Sequence, residues 1–223
     1  MKTLLIALGL IALLAGCGNP PTPPVVSLSA FPVQAAYKAY LLAGATTNFT
    51  ATAGLCTGTA TITTSKPVAA TFAGKPGFAI TETDSLASSN CNPSALTVTV
   101  VTNFDSNYNL LGGSIAGVQY AELVAPFILP VYSKVGDTAV LGTLNLFTNS
   151  SKTSSMGKAI LSYAIEPDTA TTAIINMTAK MYDVSNALTN TTIMRFKIDG
   201  AGVLTYHSVD VNTDVLRVIL TKI

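Results

Sequence analysis

The stretch Ile193–Val211, IMRFKIDGAGVLTYHSVDV, predicts the fold more clearly than any other part of the chain. Apolar and basic side chains alternate from Met194 to Ile198, so one face of an extended segment would be apolar and the other charged. The turn-forming residues Asp199–Gly202 follow, and a second alternating segment, Val203–Val211, returns. This pattern is typical of a β-hairpin with one buried face.

The same alternation, rich in threonine and valine, recurs along most of the chain and predicts further strands. The predicted strands are Phe49–Thr64, Phe78–Thr83, Leu96–Phe104, Thr138–Thr148, Ala159–Glu166, Thr172–Tyr182 and Val215–Thr221. Their number and the spacing of the turns favour an all-β, sandwich-like fold.

Only Val33–Ala43 has apolar residues at helical spacing, with Gly44 as a stop signal. The alternation of its tyrosines with small residues fits an opening strand nearly as well. The pattern slightly favours the strand, and the helix stays open as the alternative.

A weak internal repeat suggests that the β structure consists of two tandem related units. Gly58-Thr59 and Gly142-Thr143 are separated by the same offset as Glu82-Thr83-Asp84 and Glu166-Pro167-Asp168. Such a shared offset is the signature of duplication, although threonine-rich strands also resemble each other by chance. The two predicted units cover residues 31–120, with a disulfide, and residues 121–223.

The N-terminus has the features of an export signal. Lys2 precedes the apolar run Leu4–Leu14, which at eleven residues is too short for a bilayer span of about 20 residues. The run ends in Leu14-Ala15-Gly16-Cys17, which resembles the lipobox of bacterial lipoproteins. An ordinary secretory signal with an incidental cysteine is the alternative.

The lipoprotein resemblance implies that residues 1–16 form a signal peptide and that Cys17 carries a diacylglycerol and a further acyl chain such as palmitate. Gly18 stands where an aspartate retains such proteins at the inner membrane, which implies the outer membrane. Residues 17–30 then form a lipidated, proline-rich tether. Its proline spacing favours an extended polyproline II conformation.

The mature chain would keep two cysteines, Cys56 and Cys91. Export places them in an oxidising compartment, where such a pair is expected to form a disulfide. Closing this loop should stabilise the fold by roughly 3 to 4 kcal/mol.

Charge excludes one class of partner. The chain has 12 basic and 11 acidic residues, with a formal net charge of +1. Nucleic-acid binding depends on clustered lysine and arginine, so this balance argues against it.

Catalytic and metal-binding patterns are weak. His207 lies beside Ser208, but strand neighbours point to opposite faces. Asp105–Asn109 resembles the start of a calcium loop, yet later positions lack the glycine and glutamate that such loops need, and ordinary turns use the same residue types. We therefore predict no catalytic residue, metal or cofactor.

Two carboxylate pairs leave an enzymatic alternative. Glu82 with Asp84, and Glu166 with Asp168, would place two acids about 7 Å apart on one strand face. Inverting glycosidases use such separations, although solvated acids near strand ends are the commoner explanation.

These observations predict a lipid-anchored envelope protein with a non-enzymatic binding or structural role. Its partners would be membrane lipid and an envelope protein that pairs with an open strand edge. The alternatives are a glycan-active hydrolase that uses Glu166 and Asp168, or a carrier of a small apolar ligand. A large apolar cavity inside the β structure would favour the carrier. The C-terminal part is also similar to uncharacterised proteobacterial lipoproteins, which assigns no activity.

Overall fold

A computed structural model of the chain describes residues 26–89, 94–124 and 127–223. Those residues form one helix, α1, and thirteen strands, β1 to β13. In chain order they are α1 Val33–Ala43, β1 Ala45–Ala53, β2 Cys56–Thr64, β3 Val68–Phe72, β4 Lys75–Ser88, β5 Ala95–Asp105, β6 Leu110–Ile115, β7 Gln119–Leu123, β8 Thr138–Phe147, β9 Ser155–Pro167, β10 Thr172–Tyr182, β11 Leu188–Asp199, β12 Leu204–Thr213 and β13 Arg217–Lys222.

The strands form a single antiparallel sheet that closes on itself. Neighbours in sequence are mostly neighbours in the sheet, β1 pairs with β13, and β2 pairs with both β1 and β4. The result is a closed barrel of twelve strands, with β3 as an extra strand beside the first part of β4.

The predicted sandwich is therefore wrong, although the all-β class is confirmed. Alternation shows that each strand has one buried face. It does not show whether that face covers a second sheet or the inside of a barrel, because both arrangements bury the same residues. Long-range pairing between β2 and β4 decides in favour of the barrel.

The division into residues 31–120 and 121–223 falls within β7, and both segments contribute strands to the same ring. The matched acids of the internal repeat also differ in position. Glu82 lines the barrel cavity, whereas Glu166 forms an ion pair with Arg195 on the outer face. The repeated residues thus do not occupy equivalent places in the barrel.

The two faces of the barrel wall differ sharply in polarity. In β1, Phe49 and Ala51 point inward and are buried, while Thr50 and Thr52 are exposed. The outer face carries threonines and four ion pairs among the described residues, which are Glu122–Lys152, Glu166–Arg195, Asp168–Lys197 and Asp210–Arg217. The interior is therefore apolar and the exterior largely polar.

Helix α1 packs into one end of the barrel. Val33 and Ala36 are buried in the main core together with Phe127 and Leu129 of the segment that connects β7 to β8. The strand expectation for this stretch is thus wrong. An apolar stripe along α1 faces the inside of the barrel, a surface that forms only when the sheet closes, and Gly44 ends the helix with φ 63°.

The predicted C-terminal hairpin is confirmed by the β11–β12 ladder, and the predicted strand Phe49–Thr64 is a hairpin that turns at Gly54. Strands β3, β6 and β7 were not predicted. They have only five or six residues, too few for a clear alternating pattern.

The extra strand β3 lies against the barrel through Phe72. Its ring stacks on Tyr120 with 5.2 Å between the ring centroids, and it also covers Gly112 of β6. A Cβ atom on Gly112 would lie 2.7 Å from the Phe72 ring and 2.2 Å from the carbonyl oxygen of Ala121. Glycine at this position therefore permits the close approach of β3 and β7.

We expect Gly112→Ala to lower the free energy of unfolding by about 1 to 3 kcal/mol, because the added methyl group overlaps both neighbours. Chemical denaturation would measure the change. Gly200→Ala is the matched control, since a Cβ there meets nothing within 4 Å. Equal stability of the two variants would contradict this account of the β3 contact.

Candidate functional site

The barrel encloses a cavity of about 360 Å³ between α1 and the inner faces of the strands. Most of its wall is apolar, with methionine and leucine side chains from four successive strands. These include Leu141, Leu144, Leu161, Met177, Met181 and Met194. Methionine side chains are flexible and adapt to differently shaped apolar ligands.

One side of the cavity is polar, at the β2–β4 pair that closes the barrel. Glu82 of β4 stands directly opposite Thr64 of β2, and both line the cavity. Asp84, two residues further along β4, points to the same face and stands opposite Ile62. Directly opposed residues have Cβ atoms about 4.5 to 5.5 Å apart, so this polar group is compact.

Three tyrosines complete the polar side. Tyr37 and Tyr40 of α1 and Tyr206 of β12 line the cavity beside Glu82. Tyr40 packs edge-on against Tyr206, with 5.9 Å between the ring centroids, and against Phe196 at 5.4 Å. The Tyr206 hydroxyl donates a weak hydrogen bond to Met194 Sδ at 3.8 Å. We refer to Tyr37, Tyr40, Thr64, Glu82, Asp84 and Tyr206 as the polar cluster.

Burial changes the acidity of the two carboxyl groups. It raises the pKa of Glu82 to about 7, with a further contribution from the negative charge of Asp84, and raises the pKa of Asp84 to about 6. Burial also raises the pKa of Tyr37 and, together with the charge of Glu82, that of Tyr206. Glu82 therefore exchanges its proton in the neutral range, as groups at functional sites often do.

The Tyr40 hydroxyl lies close to Thr64 and Tyr206. Three buried oxygen atoms of the polar cluster nevertheless have no hydrogen-bond partner of regular geometry among the described residues. They are the Tyr40 hydroxyl, Thr64 Oγ1 and Asp84 Oδ1. Each such group costs about 1 to 3 kcal/mol when it stays unpaired. A ligand with a polar end would satisfy them and offset this cost.

From the sequence alone, Glu82 and Asp84 are expected to be solvated acids near strand ends. The structure instead turns both toward the interior. Their shared face with Ile80 and Leu86 is the signal for this, because acids in register with apolar residues point to the buried side. The tyrosines were missed, since their approach to β4 depends on the packing of α1 inside the barrel.

The second acid pair lies on the outer wall. Glu166 contacts Arg195 and accepts a hydrogen bond from Asn176 Nδ2, and Asp168 contacts Lys197. Both carboxylates are therefore paired, and neither residue lines the cavity inside the barrel.

The remaining sequence candidates have ordinary structural surroundings. His207 is exposed at a bulge of β12. Asp105 Oδ1 accepts hydrogen bonds from the backbone amides of Asn107 and Asn109, which closes the turn between β5 and β6. Among the residues that the structure describes, no group of three or more histidine, cysteine or acidic residues is arranged to hold a metal ion.

Of the three cysteines, the structure describes only Cys56. Cys17 and Cys91 lie outside the described residues, and Cys56 begins β2. Ser89, two residues before Cys91, donates its amide to the carbonyl oxygen of Thr57 at 3.4 Å. The approach of this chain segment to Cys56 is compatible with the disulfide, which stays a prediction.

No protein-family model, curated protein or solved structure matches this chain. Within the described ranges, none of the helical structure is long and apolar enough to span a bilayer.

We expect Glu82→Gln to change how stability depends on pH. The pKa of Glu82 is about 7 in the folded protein and about 4.5 in the unfolded chain. Between these values the folded state holds the proton more tightly, so the unfolding free energy falls as pH rises. From pH 5 to pH 8 the wild type should lose about 2 to 3 kcal/mol more than Glu82→Gln.

Urea denaturation at both pH values measures this difference. Glu122→Gln is the control, because Glu122 lies on the barrel exterior in an exposed ion pair with Lys152. The burial of Glu82 is refuted if both variants follow the pH dependence of the wild type.

Proposed function

We propose that this chain is a lipid-anchored envelope protein whose barrel binds a small amphipathic molecule without converting it. The observation that carries the proposal is the cavity of about 360 Å³, apolar over most of its wall and polar at one side. Small-molecule sites in proteins commonly combine such an apolar wall with a few convergent polar groups.

The cavity favours a carrier over a purely structural module. Narrow barrels fill their interior with side chains, whereas wider ones enclose a space that can hold a ligand. Here α1 fills only one end, and the unpaired oxygens of the polar cluster face an incompletely filled interior. A structural role alone gives no reason to keep two acids and three unpaired oxygens inside the barrel.

The apolar wall of the cavity favours ligand binding over glycan hydrolysis. A sugar needs hydrogen-bond partners around its whole ring, and most of the surface of this wall is apolar. Glu166 and Asp168 already form ion pairs on the outer face. The polar cluster is suited to one polar end of a ligand whose remainder is apolar.

A closed antiparallel barrel with an even number of strands and exposed apolar residues is compatible with an outer-membrane location. Barrels that span the membrane have apolar side chains on the outside and polar ones within. This barrel has the opposite distribution, with charges such as Arg195 and Lys197 on its outer wall. Attachment through a lipid on Cys17, with the barrel outside the bilayer, therefore suits it better than a spanning wall.

The exposed apolar residues fit this arrangement because many lie on turns, not on the wall. Leu55, Val118, Val184 and Val215 are more than half exposed, and each lies on a hairpin turn at the end of the barrel opposite α1. Other exposed apolar side chains, such as Leu96 and Val140, lie on the strands, where threonine and charged residues surround them.

We expect Ala179→Phe to weaken ligand binding at least about tenfold, because Ala179 lines the cavity and a larger side chain would fill it. Titration with a fluorescent apolar probe would measure this, and the absence of tryptophan keeps the protein background low. Lys180→Phe is the matched control, since Lys180 is the next residue of β10 and is exposed. Equal binding by both variants would place the probe outside the barrel.

We expect Cys17→Ser to abolish palmitate labelling and to release the protein into the soluble fraction of cells. The lipid, not the barrel wall, would then be the membrane attachment. Fractionation of cells that express the full chain tests this. A Cys17→Ser protein that stays in the membrane without any label would contradict the lipid as the membrane attachment.

A further inference from the structure

We propose that the polar end of the bound molecule is an ammonium group, so that the barrel selects amphipathic amines over carboxylic acids of the same size. This inference rests on the proposed binding function and names the chemical class of the ligand. It follows from three features of the polar cluster, which are its charge, its hydrogen-bonding capacity and its aromatic neighbours.

The charge inside the cavity is negative without a basic partner. Glu82 lines the cavity and Asp84 neighbours it on the same strand face, while no lysine, arginine or histidine among the described residues lines it. Arg195 and Lys197, the basic residues of β11, lie on the outer face, where each forms an ion pair. An uncompensated carboxylate in an apolar interior is costly, and a ligand cation would offset that cost.

The unpaired atoms of the polar cluster can all accept a hydrogen bond. Thr64 Oγ1 and the Tyr40 hydroxyl line the cavity, and Asp84 Oδ1 is equally buried and unpaired. A primary ammonium group has three donors and no acceptor. A carboxylate ligand could accept hydrogen bonds from the two hydroxyl groups, but it would leave Asp84 Oδ1 unpaired and would be repelled by Glu82 and Asp84.

Aromatic rings lie beside the acids. Tyr40, Phe196 and Tyr206 contact one another, with centroid separations of 4.4 to 5.9 Å, and all three line the cavity. Aromatic rings attract ammonium groups through their electron-rich faces, and this attraction increases when water is excluded. The rings also supply apolar contact for the first carbons of a tail.

The volume limits the size of the ligand. About 360 Å³ holds roughly a dozen groups of the size of water, which matches an alkyl chain of about that number of carbons. Dodecylamine, dodecanol and dodecanoate are therefore suitable probes, because they share one tail and differ only in the head group.

Isothermal titration calorimetry on the mature chain would measure the affinity for each probe. The titrations are run at about pH 7.5, with each probe below its micelle concentration. We expect dodecylamine to bind at least about tenfold more tightly than dodecanoate, with dodecanol between them. Equal or tighter binding of dodecanoate would overturn the ammonium assignment and leave the proposed binding function intact. If none of the three binds, the proposed function fails as well.

A pair of matched double variants locates the effect. Glu82→Gln with Asp84→Asn should weaken dodecylamine binding at least about tenfold and change dodecanol binding by less than about threefold. Glu166→Gln with Asp168→Asn has the same sequence spacing on the outer wall and should leave both affinities unchanged.

Circular dichroism would first establish that both double variants are folded. The single variant Glu82→Gln serves if the inner double variant does not fold, and it should still weaken the amine selectively. Loss of dodecanol and dodecylamine binding in equal measure would assign the acids a structural role and contradict the inference.

Discussion

Pairing between β2 and β4 joins the two ends of the sheet and makes the barrel. The ladder runs from Gly58 opposite Ser88 to Thr64 opposite Glu82, so closure and the polar cluster share the same residues. Without this ladder the sheet would have two free edges, and its apolar face would need another layer to cover it. The cavity, its polar side and the docking of α1 all depend on this one contact.

Closure of the barrel also separates the side chains by polarity. Each of the twelve strands of the ring presents one face to the enclosed space and one to the outside, so alternation becomes a separation of apolar from polar side chains. The outer threonines and ion pairs suit contact with water, and the inner leucine and methionine residues suit an apolar ligand. The exceptions, Glu82 and Asp84, are therefore the most informative residues, because their burial opposes folding unless another interaction compensates.

The extent to which the structure was predictable differs between fold and site. The β11–β12 hairpin followed from alternation around Asp199–Gly202, where Asp199 Oδ1 accepts the amides of Ala201 and Val203. Helix α1 was not resolved from a strand, because its apolar stripe matters only inside a closed barrel. Glu82 and Asp84 were identified as a pair, but their neighbours Tyr40 and Tyr206 lie far from them in sequence and approach only through tertiary packing.

The all-β class, the main hairpins and the acid pairs can be predicted from the amino-acid sequence, because they depend on alternation and turn chemistry over short stretches. That the sheet is a barrel and not a sandwich, and that one acid pair faces inward while the other faces out, depends on contacts between distant parts of the chain. Alternation indicates which face of a strand is buried, whereas the pairing partner of each strand edge depends on residues far away in the sequence. In this protein the pairing of β2 with β4 closes the sheet and thereby forms the cavity.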